Sequence, residues 1–161
     1  DLHSFPTRRS SDLHIATAIP MARVLLRPMS PDNLIFPGLF TDGQLPFDTV
    51  VFDTDNMATL PYITPQRNGI YRIDATMFVD DPAESGLDLE FQIFIGPDFD
   101  VASMSAAVPA NGQNTYRGST LYSFSDTSPV PRNIGVALQT GIAATAALIS
   151  ASMTVYWHSD L

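Results

Sequence analysis

The chain contains no cysteine and no lysine, and only three of its 161 residues are histidine. Without cysteine it can form no disulfide, no thiolate metal site and no cysteine nucleophile. All eight of its basic residues are arginines, and against 17 acidic residues they leave a formal net charge of −9 at pH 7. Because neutralising phosphates requires a basic surface, this balance argues against DNA or RNA as a partner. No window approaches the ~18 consecutive apolar residues of a membrane-spanning helix, so membrane insertion is not expected.

Side chains that could act as general acids or bases are also scarce. Outside the first 13 residues the histidines are His14 and His158, which lie near the two ends of the chain and are poorly placed to anchor a catalytic triad. A cupin-type metal site would need several histidines on facing strands, and the predicted strands carry none. Glu84, Glu90 or a neighbouring aspartate could form the carboxylate pair of a glycoside hydrolase, but Glu90 lies among polar positions where a charge is normally solvated. We therefore expect no enzymatic activity, and a carboxylate-pair hydrolase is the least favoured alternative.

The first residues differ in character from the rest. Residues 3–13 resemble the in-frame translation of a short-read sequencing adapter, and Asp1-Leu2 repeats Asp12-Leu13 as the tail of a preceding copy would. We expect residues 1–13 to be no part of the folded protein, residues 14–20 to be an N-terminal remnant of unassigned structure, and residues 21–161 to form a single β-sandwich domain. A targeting segment could have been lost with the authentic N-terminus, so we expect no recognisable targeting signal in this sequence.

The remaining sequence shows the period-two alternation of half-buried β-strands. In residues 69–80 every second residue is apolar, and Arg72, Asp74 and Thr76 occupy positions between them. Residues 87–95 alternate in the same way. Residues 142–157 are rich in alanine, the best helix former, but their alternation predicts a long strand instead. Further strands are predicted at residues 22–27, 47–53, 57–64, 116–125 and 132–140, with a short strand within 97–114 and a long loop over 28–46.

A sequence motif joins two of these strands. Pro65 cannot donate a hydrogen bond to a strand ladder, and Asn68-Gly69 is a common pair in tight turns that need a positive φ. The motif follows a predicted strand and consists of Ile63-Thr64-Pro65 and Gly69-Ile70-Tyr71. It resembles the motif Phe/Ile-Thr-x-Pro-x-x-Gly-x-Tyr that members of the C1q/TNF-like jelly-roll superfamily carry at this point. This chain has one extra residue between the proline and the glycine. The resemblance implies an all-β fold, a jelly-roll β-sandwich of about 8–10 antiparallel strands.

The resemblance also implies how the protein acts. C1q/TNF-like domains pack as threefold trimers through one sheet of each sandwich, and related domains occur on phage fibres and capsids. It therefore predicts a non-catalytic, homotrimeric structural or receptor-binding module, in a bacteriophage or other virus particle or on a bacterial surface, and hence an extracellular or virion location. Aromatic residues that interrupt polar strand faces suit such an interface, and the predicted interface residues are Phe78, Phe94, Tyr122 and Tyr156. The alternative is that each lies at a strand end covered by a loop.

Calcium is the one metal that the composition favours, because oxygen ligands are plentiful in turn-rich stretches. Some members of the resembled family bind calcium. Residues 53–57 begin like an EF-hand loop but fail at Met57 and lack its glycine. Ordinary capped turns would explain the same aspartates. A second class of function thus stays open, a secreted lectin-like domain that binds a glycan or small ligand through loop aspartates and calcium. The candidate ligands are Asp53 and Asp55 at one turn, Asp80, Asp81 and Glu84 at another, and Asp98 and Asp100 at a third.

Overall fold

The computed structural model describes residues 19–26, 34–36, 44–81, 87–96, 98–108, 112–125, 132–140 and 144–161. Within these ranges the chain forms β-strands and no helix, so none of the described segments is a helix that could cross a membrane. The strands are β1 (Met21–Leu26), β2 (Leu34–Phe36), β3 (Thr49–Asp53), β4 (Ala58–Thr59), β5 (Tyr62–Ile63), β6 (Gly69–Asp81), β7 (Leu87–Ile95), β8 (Asp98–Val108), β9 (Gly112–Phe124), β10 (Ile134–Thr140) and β11 (Ala144–Ser159).

The strands form two antiparallel sheets. The larger sheet has the order β3-β1-β11-β6-β9, with the short β2 beside β11, and the smaller sheet has the order β4-β5-β10-β7-β8. In the larger sheet every neighbouring pair joins strands that are not consecutive in the chain, as when β1 pairs with β11, whereas the smaller sheet also contains the consecutive pairs β4-β5 and β7-β8. This arrangement confirms the predicted all-β sandwich of antiparallel strands.

The core lies between the two sheets and is built by the alternation read from the sequence. From the larger sheet, Val24, Ile73 and Met153 point inward, and from the smaller sheet Ile93 and Val136 meet them, all within 1% of complete burial. Burying one such side chain stabilises the fold by about 1.5–3 kcal/mol. Because successive residues of a strand face opposite sides, this core also determines which residues of the larger sheet face away from it.

Several strand boundaries differ from the prediction. Residues 57–64, predicted as one strand, form β4 and β5 with a turn at Leu60 and Pro61 between them, because proline cannot donate to a ladder. The predicted loop over 28–46 contains β2, whose three residues pair with β11. The strand within 97–114 is longer than predicted, since β8 pairs with β7 from Leu87 to Ile95 and this pairing outweighs its weak local signal. Residues 1–18, which include the adapter-like segment, lie outside the described residues.

Candidate interaction surface

The side of the larger sheet that faces away from the core is the most distinctive surface. On β6 the buried residues Tyr71, Ile73 and Met77 alternate with partly or fully exposed ones, and β1, β9 and β11 do the same. We call this side the outer face. Its side chains include Arg23 and Leu25 on β1; Ser150, Ser152, Thr154 and Tyr156 on β11; Arg72, Asp74, Thr76 and Phe78 on β6; and Thr115, Arg117, Ser119 and Leu121 on β9.

A small polar cluster lies near the middle of the outer face. Nε of Arg72 donates to Oδ1 of Asp74 at 3.1 Å, and Oγ of Ser119 donates to the same oxygen at 2.6 Å. The guanidinium carbon of Arg72 also lies 6.0 Å from the ring centroid of Tyr156. The hydrogen bond to Asp74 is the main cause of a raised pKa of Arg72, which stays charged. These contacts hold the Arg72 side chain between Asp74 of its own strand and Tyr156 of the neighbouring strand β11.

Large apolar groups interrupt this polar surface. Leu121 is 54% exposed and lies directly opposite Arg72 in the pairing of β9 with β6. Phe78 lies on the same face, partly exposed, near the far end of β6. Phe78 is six positions from Arg72 along β6, which at about 3.3 Å per residue places the two roughly 20 Å apart. Large apolar side chains on an exposed sheet face are candidates for contact with another chain.

The structure places two of the four predicted interface aromatics on one face, although Tyr156 lies opposite Arg72, six positions along β6 from Phe78. Phe78 and Tyr156 lie on the outer face, on the adjacent strands β6 and β11. Tyr122 faces the core instead, at the edge strand β9, where its ring centroid is 4.9 Å from that of Phe124. Phe94 belongs to the smaller sheet and is only 5% exposed.

Phe94 shows that an aromatic residue that points away from the core can still be buried. It does point away from the core, but its ring packs against Gly135 and meets the ring of Tyr62 edge-on, with centroids 6.3 Å apart. Its neighbours Gln92 and Ala137 on that side are buried as well, at 4% and 1% exposure. This side of the smaller sheet is covered by the chain itself around Phe94, which leaves that ring little surface for a partner.

The Asp53–Asp55 turn uses its carboxylates internally. Oδ1 of Asp53 accepts the backbone N–H groups of Met57 at 2.9 Å and of Asp55 at 3.3 Å, and its Oδ2 accepts that of Ala58 at 2.8 Å. Oδ1 of Asp55 pairs with the Arg67 guanidinium at 2.7 Å, whereas its Oδ2 is buried and has no hydrogen-bond partner. Asn56 between them has a positive φ of 54°. The turn thus has the backbone hydrogen bonds of an ordinary capped turn, which is the alternative interpretation of these aspartates.

The other predicted acidic ligands are spread over several elements. Asp80 and Asp81 end β6, opposite Gln113 and Gly112, and Asp98 and Asp100 lie in β8. Glu84 lies outside the described residues. No cluster of three or more potential metal ligands occurs among the residues the structure describes. The calcium site therefore stays a prediction.

The groups considered for catalysis are also separated. Glu90 lies in β7 opposite Gln139 and Ser105, and His158 is exposed near the end of β11. His14, like Glu84, lies outside the described residues. The described part of the chain therefore does not place a histidine beside a carboxylate pair.

Sequence reasoning missed the exposed Leu121 and the arginines of the outer face. The signal was present, because Arg117, Ser119 and Leu121 alternate with Tyr116 and Phe124 on the buried side of β9. This alternation is weak in the sequence, because the inner positions of β9 include Gly118 and Thr120, which are weakly apolar.

No protein family matches the chain, and no curated protein has a matching sequence. Solved structures do match in fold. The globular domain of the zebrafish complement 1qA protein is 12% identical, with a TM-score of 0.58 over 89% of this chain and 99% of that one. The PRD1 vertex protein P5 is 13% identical, with a TM-score of 0.53 over 86% and 96%. The Eiger TNF of S. frugiperda is 8% identical, with a TM-score of 0.55 over 88% and 95%. The strand order and these similarities show that the chain has the C1q/TNF-like jelly-roll fold.

Proposed function

We propose that the chain is a non-catalytic structural or receptor-binding module that assembles as a homotrimer through the outer face of its larger sheet, on a virus particle or a bacterial surface. One observation carries the proposal. Leu121 is 54% exposed beside Arg72, in a sheet face that also bears Phe78 and Tyr156. A sheet face that carries several large apolar and aromatic side chains among hydroxyl groups suits a contact with another chain.

The choice of face follows from the contrast between the two sheets. The smaller sheet already covers its outward aromatic, Phe94, with its own chain. The larger sheet leaves Leu121 and part of Tyr156 open. A trimer through one sheet of each sandwich, as the C1q/TNF resemblance implies, is therefore best supported at the larger sheet.

The location is supported by the fold of the PRD1 vertex protein P5, a protein whose name places it at a vertex. Fold alone does not assign a function, so the particle or surface on which the module acts is part of the proposal. Its partners would be further copies of itself, other virion or surface proteins, and a receptor.

The test is the mass of the full chain in solution, measured by light scattering on a sizing column. We expect a trimer. Leu121→Ser should shift the mass toward the monomer, because it removes the exposed apolar group from the proposed contact. Leu60→Ser is the matched control, since Leu60 is 43% exposed but lies in the turn between β4 and β5 of the smaller sheet. A monomeric parent chain, or equal effects of the two variants, would contradict the proposal.

A lectin-like function is the second candidate, favoured by the aromatic residues at one end of the sandwich. Tyr122 and Trp157 flank the buried Tyr71 in one row across β9, β6 and β11, and both are partly exposed. Sugar rings stack on such aromatic groups, and Arg132 and Asn68 lie together near this end, 2.7 Å apart. Glycan binding that is lost in Trp157→Ala, with the trimer intact, would assign this function.

A further inference from the structure

We infer that Asn68-Gly69, at the start of β6, is a self-modification site. The fold promotes cyclisation of this pair to a succinimide, which water then opens to an aspartyl or isoaspartyl residue at position 68. The modification goes beyond the proposed self-association and is independent of it. Three features of the structure point to it: an exposed asparagine, a glycine directly after it, and an arginine held on the amide that would react.

The pair has the sequence that this reaction favours. The backbone nitrogen of the residue after an asparagine can attack the side-chain carbon Cγ, because the two groups belong to adjacent residues and the attack closes a five-membered ring. At most positions a side chain crowds this nitrogen, whereas Gly69 has none. Asn68 is exposed in the bend that precedes β6, so water reaches its amide.

The fold requires glycine at position 69. The φ angle of Gly69 is +148°, which favours glycine over other residues. A β carbon there would lie 2.5 Å from Nε1 of Trp157 and 2.9 Å from the backbone oxygen of Ser159. The packing of β6 against β11 thus demands the same residue that leaves Asn68 open to attack.

Arg132 is positioned to assist that attack. Its Nη2 donates to Oδ1 of Asn68 at 2.7 Å. Because a guanidinium can only donate, the oxygen and not the nitrogen of the amide must face it. Oδ1 becomes negative when the nitrogen of Gly69 bonds to Cγ, and a donor already fixed at such an atom lowers the barrier. Arg132 is 64 residues away in the sequence, so the fold is what brings it to this amide.

The reaction consumes only water. The nitrogen of Gly69 forms a bond to Cγ of Asn68 and loses its proton to the solvent. The bond from Cγ to Nδ2 breaks, and Nδ2 takes up a proton and leaves as ammonia. Water then adds to one of the two ring carbonyls. Breaking the new bond to Cγ gives the aspartyl product with the normal backbone, whereas breaking the original peptide bond gives the isoaspartyl product, whose chain runs through the side chain.

The two products change the end of the sandwich in different ways. The aspartyl product places a carboxylate against Arg132 and makes the formal net charge of −9 more negative by one. The isoaspartyl product adds a carbon to the backbone directly before Gly69, where Trp157 leaves no room. We therefore expect the isoaspartyl product alone to displace the Trp157 indole.

Incubation of the full chain at neutral pH tests the inference, followed by peptide mapping with mass spectrometry. The peptide that contains Asn68 should gain the mass difference between an amide and an acid, in both aspartyl and isoaspartyl forms. Arg132→Gln should slow this conversion about fivefold or more, because it removes the donor at the developing negative charge. Arg67→Gln is the matched control, since it removes an exposed arginine of the same turn that bonds to Asp55 instead, and it should leave the rate unchanged.

The chain also supplies an internal reference and a spectroscopic readout. Asn111-Gly112 is a second Asn-Gly pair, and Gly112 lies opposite Asp81 at the other end of β6, so Arg132→Gln should not change its rate. Trp157 is the single tryptophan. Its emission should change as the isoaspartyl form accumulates, and it should keep the parent spectrum in Asn68→Asp, which has the normal backbone.

Two results would overturn the inference. The first is an equal rate of conversion in the parent chain and in a folded Arg132→Gln variant, because Arg132 would then not assist. The second is an Asn68 that converts more slowly in the folded parent chain than in the same chain unfolded in urea, since the turn would then protect the amide. Faster conversion in the folded chain supports the inference, and this comparison decides the matter even if Arg132→Gln does not fold.

Discussion

The ring of Phe94 in β7 packs directly over the α carbon of Gly135, its paired residue in β10. A β carbon added at position 135 would lie no more than 3.0 Å from three carbons of that ring. Gly135 is itself buried. The absence of a side chain at this position therefore makes room for the aromatic ring that covers the outward side of the smaller sheet.

Gly135→Ala should consequently destabilise the protein by about 1–3 kcal/mol, because overpacking a buried site displaces its neighbours. The free energy of unfolding in denaturant measures this. Gly118→Ala is the matched control, since the nearest atoms there are ends of the Ile93 and Phe91 side chains at 3.2 Å, and it should cost less. In a double-mutant cycle with Phe94→Leu the two losses should not add, since they share one contact. Full additivity would contradict the packing described.

The pH dependence of stability should carry a contribution from Tyr71. Burial is the main cause of a raised pKa of the Tyr71 phenol, and its hydroxyl donates to the backbone carbonyl of Arg67 at 3.2 Å. Because the folded pKa lies above the unfolded value of about 10, the unfolded chain releases this proton first. The contribution is thus complete below pH ~10 and is lost as pH rises through the folded pKa.

Two measurements check this. Titration of tyrosinate absorbance in the folded chain should show a component that ionises above pH ~10 and is missing in Tyr71→Phe. Tyr71→Phe should flatten the alkaline fall in stability and, at neutral pH, cost about 1 kcal/mol through the lost hydrogen bond. Tyr62→Phe, which removes a hydroxyl that donates to Oε1 of Gln44 at 2.8 Å, is the control for the loss of one tyrosine hydrogen bond at neutral pH.

The Asp53 carboxylate should be a stabilising cap. It accepts three backbone N–H groups of residues 55–58, including Met57 and Ala58 at 2.9 and 2.8 Å. Asp53→Asn replaces one accepting oxygen with a donor that faces an N–H group, so we expect a loss of about 1–3 kcal/mol in the free energy of unfolding. Asp48→Asn is the control. That residue is exposed and accepts a bond from the hydroxyl of Thr49, so its change should be within about 0.5 kcal/mol.

The sequence predicted the fold well because both sheets follow the alternation rule. β6 and β7 were placed within one residue of their observed ends, and β11 was recognised as a strand despite its alanines. Local pattern failed where pairing with another strand decides the structure. The small residues of β8 form a full strand because β7 lies beside them, and β2 forms because β11 offers an edge.

The candidate surface was predictable only in part for a related reason. Alternation within a strand shows which residues share a face, but it does not show whether the rest of the chain covers that face. Phe78 and Phe94 have the same pattern in sequence, yet one lies on the open outer face and the other packs against Gly135. The grouping of Arg23 with Arg117 required the strand order, which brings β1 and β9 into one sheet across β11 and β6.

Calcium should not stabilise the protein through the Asp53–Asp55 turn. Both oxygens of Asp53 already accept N–H groups, and Oδ1 of Asp55 is held by Arg67 at 2.7 Å, which leaves Oδ2 of Asp55 as the one carboxylate oxygen of the pair without a partner. Calcium takes six to eight oxygen ligands, so binding would have to break the cap. We therefore expect Asp55→Asn to leave any difference between the melting temperatures in millimolar calcium and in a chelator unchanged. A calcium-dependent rise that disappears in Asp55→Asn but persists in Asp48→Asn would show instead that the turn rearranges around the ion.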